Sequence, residues 1–416
     1  MKISVMSYNN QYHFSSYTKK YIRRDIYFDK TLPYVNKDII KVFIGQRRVG
    51  KSYILYQLMD YIADNMPDNN IIYINKELSD FDFIVDHNDL NSFVQTHTLL
   101  GKNYLFIDEV QDILDFGKSL RSLLASGKYD IYCTGSNSQL LSGDIAGHLS
   151  GRHIEIKVYS LSYTEFLQFH KLKNNNQTLE KYMIFGGLPY LIHLKLEQSI
   201  AFEYLKNVYA TILFKDVVRR YNIRNVYFLE SLVKFLSDNT GSIISATQIS
   251  KFLKSQRVNM STQIVLNYLL YLKNALLIYK VDRQGIHGKK IFETNEKYYF
   301  EDWGLRNSLV GYNPSDIGKV MENIVFMHLL ICGYQIRIGV LGENEIDFVC
   351  QKQNETMYVQ VAYLITNENT IQREYGNLLK IKDNYPKYVI SMDEFQGNTY
   401  KGIRHLHLME FLNEVW

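Results

Sequence analysis

The sequence predicts an α/β fold built on a parallel sheet whose strands alternate with helices. An apolar run at 39–44 is followed by a glycine-containing loop at 45–52 and then by an apolar helical segment. A second apolar run, at 104–107, ends in two carboxylates. Runs that are apolar throughout are typical of strands buried on both faces of a parallel sheet. With a third such strand and its exit loop at 130–137, residues 1–160 are expected to form one α/β domain.

The loop at 45–52 carries the pattern G-x-x-x-x-G-K-[ST] in a strand–loop–helix context. Backbone N–H groups of such a loop and the positive end of the following helix point at one anion. Lys51 is expected to bridge the β- and γ-phosphates of a nucleoside triphosphate, and the Ser52 hydroxyl to hold Mg²⁺. The other predicted nucleotide contacts are Gly45, Gln46, Arg47, Arg48, Val49, Gly50 and Tyr53.

The two carboxylates that follow the strand at 104–107 are the predicted metal-binding and catalytic groups. The strand should deliver Asp108 to the sheet edge where ligands bind, beside the glycine loop. Asp108 is expected to hold Mg²⁺ directly or through water, and Glu109 to orient or deprotonate an attacking water. The alternative is a strand that ends in two acids at an ordinary turn, and the loop pattern at 45–52 argues against it.

Three further polar residues are candidates for contact with the γ-phosphate. Ser136 and Asn137 follow the third strand and are expected to act as polar sensors, with a plain turn as the competing interpretation. Arg152 precedes an alternating strand at 153–159. From there it could reach the γ-phosphate of its own or a neighbouring subunit, a contact worth roughly 10³–10⁵ in rate. A solvated surface arginine is the alternative.

Composition and charge bound the remaining possibilities. The 416 residues are 46% hydrophobic and 22% charged, which leaves room for about two to four domains. A net charge of +4 is too mild to argue for nucleic acid by itself. Cys133, Cys332 and Cys350 show no C-x-x-C spacing, so zinc and redox motifs are not expected. No stretch reaches transmembrane length, and the expectation is a cytoplasmic protein without a membrane partner.

Five motifs in series, at 45–52, 106–111, 134–138, 150–152 and 161–166, carry a similarity to a known family. The series resembles AAA-type ATPases of archaea and bacteria that join a P-loop domain to a C-terminal domain of unknown function. This resemblance covers nearly the whole chain and implies ATP as the nucleotide. It also implies a sheet in which the third strand separates the other two.

Residues 161–225 lack strand alternation and are predicted to form a helical lid over the nucleotide. Parts of this region also resemble the family pattern. Asp216 and Arg219 are spaced one helical turn apart and are expected to form an ion pair. In the alternative, Arg219 or Arg220 senses the nucleotide.

Residues 226–310 are predicted to form a winged helix, with a recognition helix at 261–274 and a wing at 278–293. Gln263, Asn267 and Asn274 fall on one face of that helix, with Lys273 beside them, and Asn and Gln on such a face favour base readout in DNA. The rest of the helix is strongly apolar and aromatic, which is more typical of a helix clamped between domains.

Residues 311–416 resemble the PD-(D/E)xK restriction-endonuclease-like fold, with the order helix, three strands, helix, strand. Glu322 and Asp347 match the acidic positions of that fold, but Gln360 and Ala362 occupy the positions of its E-x-K motif. The two acids are therefore expected to lack the lysine that stabilises charge or positions water. The domain is predicted to be degenerate and not to cut DNA by that mechanism.

These features predict an ATPase that binds ATP with Mg²⁺ and couples hydrolysis to conformational change of its C-terminal domains. Lys51, Glu109 and Arg152 are the predicted catalytic residues, and Ser52 and Asp108 the predicted metal ligands. The alternative is a nucleotide-gated switch or scaffold with little turnover that binds DNA or a protein partner through its C-terminal half. A nucleic-acid enzyme is a weaker alternative. The sequence leaves the oligomeric state open and is compatible with an oligomer.

Overall fold

The structure is a computed structural model that describes the chain in two compact units. The described residues are 3–4, 13–14, 21–66, 69–138, 151–255, 260–286, 291–365, 368–393 and 399–414. The first unit is Met1–Tyr159 and the second is Ser160–Trp416. The predicted division of the second unit into a lid, a winged helix and a nuclease-like domain stays a prediction.

The first unit is built on a five-stranded parallel sheet. Its strands are β1 Ile40–Ile44, β2 Asn70–Asn75, β3 Asn103–Asp108, β4 Tyr129–Gly135 and β5 His153–Lys157. They lie in the order β2-β3-β4-β1-β5, and every adjacent pair is parallel. The strands β1 to β4 are buried along their whole length, as expected for strands covered on both faces. Because β4 lies between β1 and β3, the strand order implied by the family resemblance is confirmed.

Helices connect these strands. In the described part of the first unit the α-helices are α1 Asp25–Thr31, α2 Lys51–Asn65, α3 His87–Thr96 and α4 Phe116–Ala125. Short 3₁₀ turns lie at Leu32–Tyr34, Ser79–Phe81 and Val110–Asp112, and the two-residue strands Ile3–Ser4 and His13–Phe14 pair antiparallel. The helix α2 begins directly after the glycine loop and buries Ile54, Leu55 and Leu58 completely. This burial fixes the loop to the end of β1.

The second unit begins with helices and ends with a mixed sheet. Its described α-helices are α5 Tyr163–His170, α6 Asn176–Phe185, α7 Gln198–Thr211, α8 Val226–Asp238, α9 Ala246–Ser255, α10 Thr262–Asn274, α11 Trp303–Val310, α12 Ile317–Ile331, α13 Glu368–Leu379 and α14 Leu408–Asn413. The 3₁₀ turns are Pro189–His193 and Pro314–Asp316. A π-helix, Ile212–Arg219, continues α7 and contains both Asp216 and Arg219. Its wider turn alters the spacing on which their predicted ion pair depends.

The helices at the start of the second unit are fastened to α11. Trp303 Nε1 donates to the Tyr182 carbonyl at 2.7 Å, and the two rings lie edge to face with centroids 4.7 Å apart. The Asn307 side-chain amide donates to the Met183 carbonyl at 3.0 Å. The region predicted as a lid, 161–225, therefore packs within the second unit against residues that follow the predicted wing.

An eight-stranded sheet forms the rest of the second unit. Its strands are β6 Ile278–Gly285, β7 Ile291–Phe300, β8 Gln335–Leu341, β9 Asn344–Lys352, β10 Glu355–Val361, β11 Lys387–Ser391, β12 Thr399–Tyr400 and β13 Ile403–His407. Their order is β12-β13-β11-β10-β9-β8-β6-β7. The hairpin β6–β7 corresponds to the predicted wing, of which residues 287–290 lie outside the described residues. Because β6 pairs parallel with β8, one sheet crosses the predicted boundary between 226–310 and 311–416.

Candidate functional site

The glycine loop between β1 and α2 needs glycine at two positions for different reasons. A Cβ on Gly45 would lie 2.2 Å from the Val158 carbonyl oxygen, so no side chain fits there without moving the backbone. Gly50 caps the N-terminus of α2 with φ 97°, a left-handed conformation that favours glycine. The loop is thus held close to β5 and turned so that α2 starts at Lys51.

Lys51 is folded back into this loop. Its Nζ donates to the carbonyl oxygens of Gly45 at 3.0 Å and Gln46 at 3.1 Å. The same nitrogen lies 3.6 Å from Oε1 of Glu109, and the Lys51 side chain is only 4% exposed. A buried ammonium that is held by loop carbonyls and one carboxylate is a cation placed for an incoming anion.

Asp108 ends β3 within a ring of hydroxyl groups. The hydroxyls of Thr134 and Ser52 both hydrogen-bond to its carboxylate, and Tyr73 donates to Oδ2 at 3.4 Å. Burial, and then the charge of the adjacent Glu109, raises the pKa of Asp108. The structure therefore brings the two predicted metal ligands, Asp108 and Ser52, into direct contact.

Glu109 takes a left-handed backbone conformation, with φ 58° and ψ 53°, which is uncommon for a residue with a side chain and is often found at functional sites. Its backbone N–H donates to the Thr134 hydroxyl at 2.9 Å, and its carboxylate accepts a hydrogen bond from Gln111 Nε2. Burial alone would raise the pKa of Glu109, but the charges of Lys51 and Arg47 hold it below its ordinary value. The carboxylate is thus kept ionised beside the loop.

The predicted sensor residues lie at the end of β4, next to β3. Ser136 and Asn137 are both completely buried. Gln111 Nε2 lies 3.3 Å from the Ser136 hydroxyl oxygen and also donates to Glu109, so Ser136 is linked to the candidate base through one side chain. Of the remaining loop residues, Arg47 and Val49 are buried and Arg48 and Tyr53 are exposed.

Arg152 does not lie near the other predicted site residues. Its carbonyl accepts a hydrogen bond from the N–H of Ile40, the first residue of β1, at 2.9 Å. The glycine loop follows the other end of the same strand, and five strand residues span about 16 Å. The side chain is exposed and starts at the opposite edge of the sheet from Lys51. Contact with the γ-phosphate of its own chain is therefore not supported, and a contact with a neighbouring subunit stays a prediction.

Several residues at the site were not predicted. Thr134 and Tyr73 reach Asp108 from the strands on either side of β3. The buried guanidinium of Arg24 donates to the carbonyls of Val49 at 2.8 Å and Tyr159 at 2.9 Å. These two hydrogen bonds link the glycine loop to the segment that follows β5. The sequence feature that could have predicted the contact between Thr134 and Asp108 is the position of Thr134 near the end of a buried strand. Neighbouring parallel strands end at the same edge of a sheet, so residues at their ends lie close together.

A second cluster of charges lies in the second unit. Nζ of Lys297, on β7, lies 2.6 Å from Glu345, 2.9 Å from Glu322 and 3.6 Å from Asp347. Burial alone would lower the pKa of Lys297, but the surrounding carboxylates raise it. Burial and the nearby Glu322 raise the pKa of Asp347. Gln360 contacts the same cluster by accepting from the Asp347 N–H at 3.3 Å.

The expectation that Glu322 and Asp347 have no lysine partner is therefore wrong. The lysine comes from the hairpin β6–β7 rather than from β10, because β6 joins the same sheet. In the described residues, no group of three or more His, Cys, Asp or Glu side chains is arranged to hold a metal ion. The prediction that this region does not cut DNA by the restriction-endonuclease-like mechanism stays a prediction.

The fold and the site of the first unit define a P-loop domain of the AAA type. A family model for an AAA domain matches residues 37–167, and a model for a domain of unknown function (DUF8612) matches residues 176–316. An uncharacterized protein of Haemophilus influenzae is 35% identical over 402 residues, which covers 95% of this chain and 99% of that protein. The chain belongs to the same family, the AAA-type ATPases that carry a C-terminal domain of unknown function.

A second relative and two solved structures extend the comparison. An uncharacterized protein of Methanocaldococcus jannaschii is 31% identical over 377 residues, covering 85% of this chain and 80% of that protein. The Aeropyrum pernix ORC1 protein in complex with DNA has a TM-score of 0.32 at 11% identity, covering 71% of this chain and 94% of that one. A DNA polymerase III gamma subunit-related protein of Thermotoga maritima has a TM-score of 0.29 at 12% identity, covering 59% and 99%. TM-scores this low support no inference about function.

Across the described ranges, none of the helices is both long and apolar enough to cross a bilayer.

Proposed function

We propose that the chain binds ATP together with Mg²⁺ and hydrolyses it. The observation that carries this proposal is the convergence of Lys51, Ser52, Asp108 and Glu109 on one edge of the sheet, at the N-terminus of α2. Membership of the AAA-type family supports nucleotide binding. ATP rather than another nucleotide is what the family resemblance implies.

The residues of the loop fit a triphosphate and its metal. Gly45 leaves no room for a side chain beside the loop, and the Lys51 ammonium already lies among oxygen acceptors. Asp108 and the Ser52 hydroxyl supply oxygen ligands of the kind that Mg²⁺ prefers, and Mg²⁺ is usually held by one or two carboxylates plus substrate phosphates. When bound, the metal neutralises charge that develops on the transferred phosphoryl group.

Each side chain of the site has a separate role in the proposed hydrolysis. Lys51 exchanges its loop carbonyls and Glu109 for phosphate oxygens, so it binds and orients the terminal phosphates. Glu109 exchanges its lysine partner for the attacking water and takes a proton from it, while the water oxygen bonds to the γ-phosphorus and the bond to ADP breaks. Gln111 and Ser136 hold the Glu109 carboxylate in position.

A steady-state assay of ATP hydrolysis by the purified full chain tests this proposal. Lys51→Ala should weaken ATP binding roughly a hundredfold or more, because charged hydrogen bonds are lost. Glu109→Gln should keep ATP binding and reduce turnover by about 10²–10⁴-fold. Lys128→Ala, which replaces an exposed lysine of the same unit, is the matched control and should match the unchanged chain. Equal turnover in Glu109→Gln and the unchanged chain would remove Glu109 as the base.

A second candidate is a nucleotide-gated switch with little turnover, whose C-terminal half holds DNA or a protein partner. It is favoured by the pairing of Glu109 with both Lys51 and Gln111, which holds the base in place, and by the distance of Arg152 from the loop. Turnover as a function of protein concentration separates the two candidates. Turnover per chain that rises on assembly and is lost in Arg152→Ala supports hydrolysis with an arginine from a neighbouring subunit. Flat, negligible turnover with tight ATP binding supports the switch.

A further inference from the structure

Two arginines, Arg47 and Arg48, are adjacent in the glycine loop, and they differ in burial. Arg47 is 6% exposed and lies inside the site, whereas Arg48 is exposed and has φ 70°. Arg47 Nη1 donates to Oε1 of Glu77 at 3.2 Å. Glu77 follows β2 and is 46% exposed, so one partner of this ion pair is buried and the other reaches solvent.

The buried guanidinium lies in the same loop as Lys51, whose Nζ is 3.6 Å from Oε1 of the candidate base Glu109. Its partner Glu77 follows β2, whose last residue, Asn75, lies beside Asp108 at the end of β3. Arg47 therefore lies at the edge of the sheet where the loop and the two carboxylates of the site meet. Arg152, in contrast, lies at the other edge of the sheet.

The balance of charges at the site also favours a contact between Arg47 and a bound triphosphate. The cations Lys51 and Arg47 lie among the carboxylates Asp108, Glu109 and Glu77. ATP with one bound Mg²⁺ would add a net charge of about −2, and Asp108 would be a ligand of that metal. Both cations then gain a stronger anionic partner, and an arginine fork matches phosphate geometry.

We propose that Arg47 is a second phosphate-binding cation supplied by the same chain, and that Glu77 holds it until the triphosphate arrives. This inference rests on the proposed function, because it assigns Arg47 a contact in the ATP site. When ATP binds, the Arg47 guanidinium leaves Glu77 and donates to oxygens of the γ-phosphate. Glu77 is left in solvent, where an unpaired carboxylate costs little.

The test compares ATP and ADP binding by the full chain carrying Arg47→Ala, Glu77→Gln or the control Arg121→Ala, which replaces an exposed arginine on α4, outside the loop. Arg47→Ala should raise the Kd for ATP about tenfold or more and change the Kd for ADP by less than about threefold. Glu77→Gln should lower the Kd for ATP, because the competing carboxylate is removed. Arg121→Ala should stay within about twofold of the unchanged chain for both nucleotides.

A purely structural role for the ion pair gives a different pattern. In one case, Arg47→Ala and Glu77→Gln would both weaken the binding of ATP and of ADP to the same extent. In the other, both variants would bind ATP as the unchanged chain does. Either result overturns the inference. Where Arg47→Ala does not fold, Arg47→Lys and Glu77→Gln give the same comparison, with weaker and tighter ATP binding expected respectively. If the unchanged chain binds no ATP, the proposed function fails and takes this inference with it. ATP binding that is unaffected in the Arg47 variants removes only the inference.

Discussion

At the scale of single residues, each of the charged groups Lys51, Asp108 and Glu109 has hydrogen-bond or ion-pair partners within the first unit. Lys51 is shared between loop carbonyls and Glu109, and Asp108 is hydrogen-bonded to Ser52. The loop pattern predicted Lys51 and Ser52, and the apolar run before Asp108 predicted the carboxylates. Thr134 was not predicted as a partner of Asp108, because such bonds depend on the register between strands.

The Thr134 hydroxyl serves both carboxylate residues, since it donates to Asp108 and accepts from the Glu109 N–H. Thr134→Val keeps the shape but leaves that buried N–H without its acceptor, which costs about 1–3 kcal/mol. We expect a lower unfolding midpoint in urea and weaker ATP binding in the presence of Mg²⁺. Thr134→Ser restores a hydroxyl and should recover most of both properties. Unchanged stability in Thr134→Val would contradict this role.

At the scale of elements, local patterns predicted most of the helices and strands of both units, including the order helix, three strands, helix, strand near the end of the chain. They did not predict how the strands of the second unit pair. Apolar runs predicted β1, β3 and β4, and all three strands lie where those runs occur in the sequence. The hairpin β6–β7 was expected to be the wing of a separate domain, but β6 pairs with β8. Pairing between distant strands cannot be seen in local patterns, so the source of the lysine near Asp347, which is Lys297 of β7, was missed as well.

The close approach of the glycine loop to β5 leads to a prediction about Gly45. A Cβ there would lie 2.2 Å from the Val158 carbonyl oxygen, so Gly45→Ala must move the loop away from its position. We expect ATP binding to fall at least tenfold while the chain stays folded by circular dichroism. Gly318→Ala is the control, because a Cβ at that glycine meets nothing within 4 Å. Normal ATP binding by Gly45→Ala would show that the loop has room to spare.

The charged cluster around Lys297 leads to a second prediction at this scale. Lys297→Met removes the buried cation and leaves the buried Asp347 beside the partly buried Glu322 and Glu345 without that positive charge. Breaking a buried ion pair by removing one partner costs about 3–5 kcal/mol. Thermal unfolding of Lys297→Met should therefore begin at a clearly lower temperature than that of the control Lys382→Met, which replaces an exposed lysine. Equal midpoints would mean that the cluster contributes no net stability.

At the scale of the whole molecule, the chain consists of two compact units, and the chemistry of the proposed ATP site lies in the first. The family resemblance implied a P-loop domain joined to a C-terminal domain, and the finer division into four domains stays a prediction. Local patterns placed the strand at 153–159 after Arg152, but they could not show that Arg152 starts that strand at the edge away from the loop. Whether a neighbouring chain uses Arg152 depends on assembly, which is a property of more than one molecule.

Acid stability of the whole chain should depend on His328, which lies on α12 in the core of the second unit. Burial lowers the pKa of His328 from 6.5 to about 4. Between these values the unfolded chain binds a proton that the folded chain does not, so stability falls as pH falls from about 6.5 to about 4, by about 3 kcal/mol. His328→Gln does not titrate and should show a smaller drop in melting temperature between pH 7 and pH 4.5. An equal drop in both proteins would contradict the shifted pKa.

The central claim is that a triphosphate with its metal binds where β1, β3 and α2 meet. Equilibrium titration of the folded full chain with ATP, with and without Mg²⁺, measures this directly. We predict saturable binding of about one ATP per chain, stronger with Mg²⁺ than without and roughly a hundredfold or more weaker in Lys51→Ala. A folded chain that shows no measurable affinity for any nucleoside triphosphate in the presence of Mg²⁺ would contradict the claim.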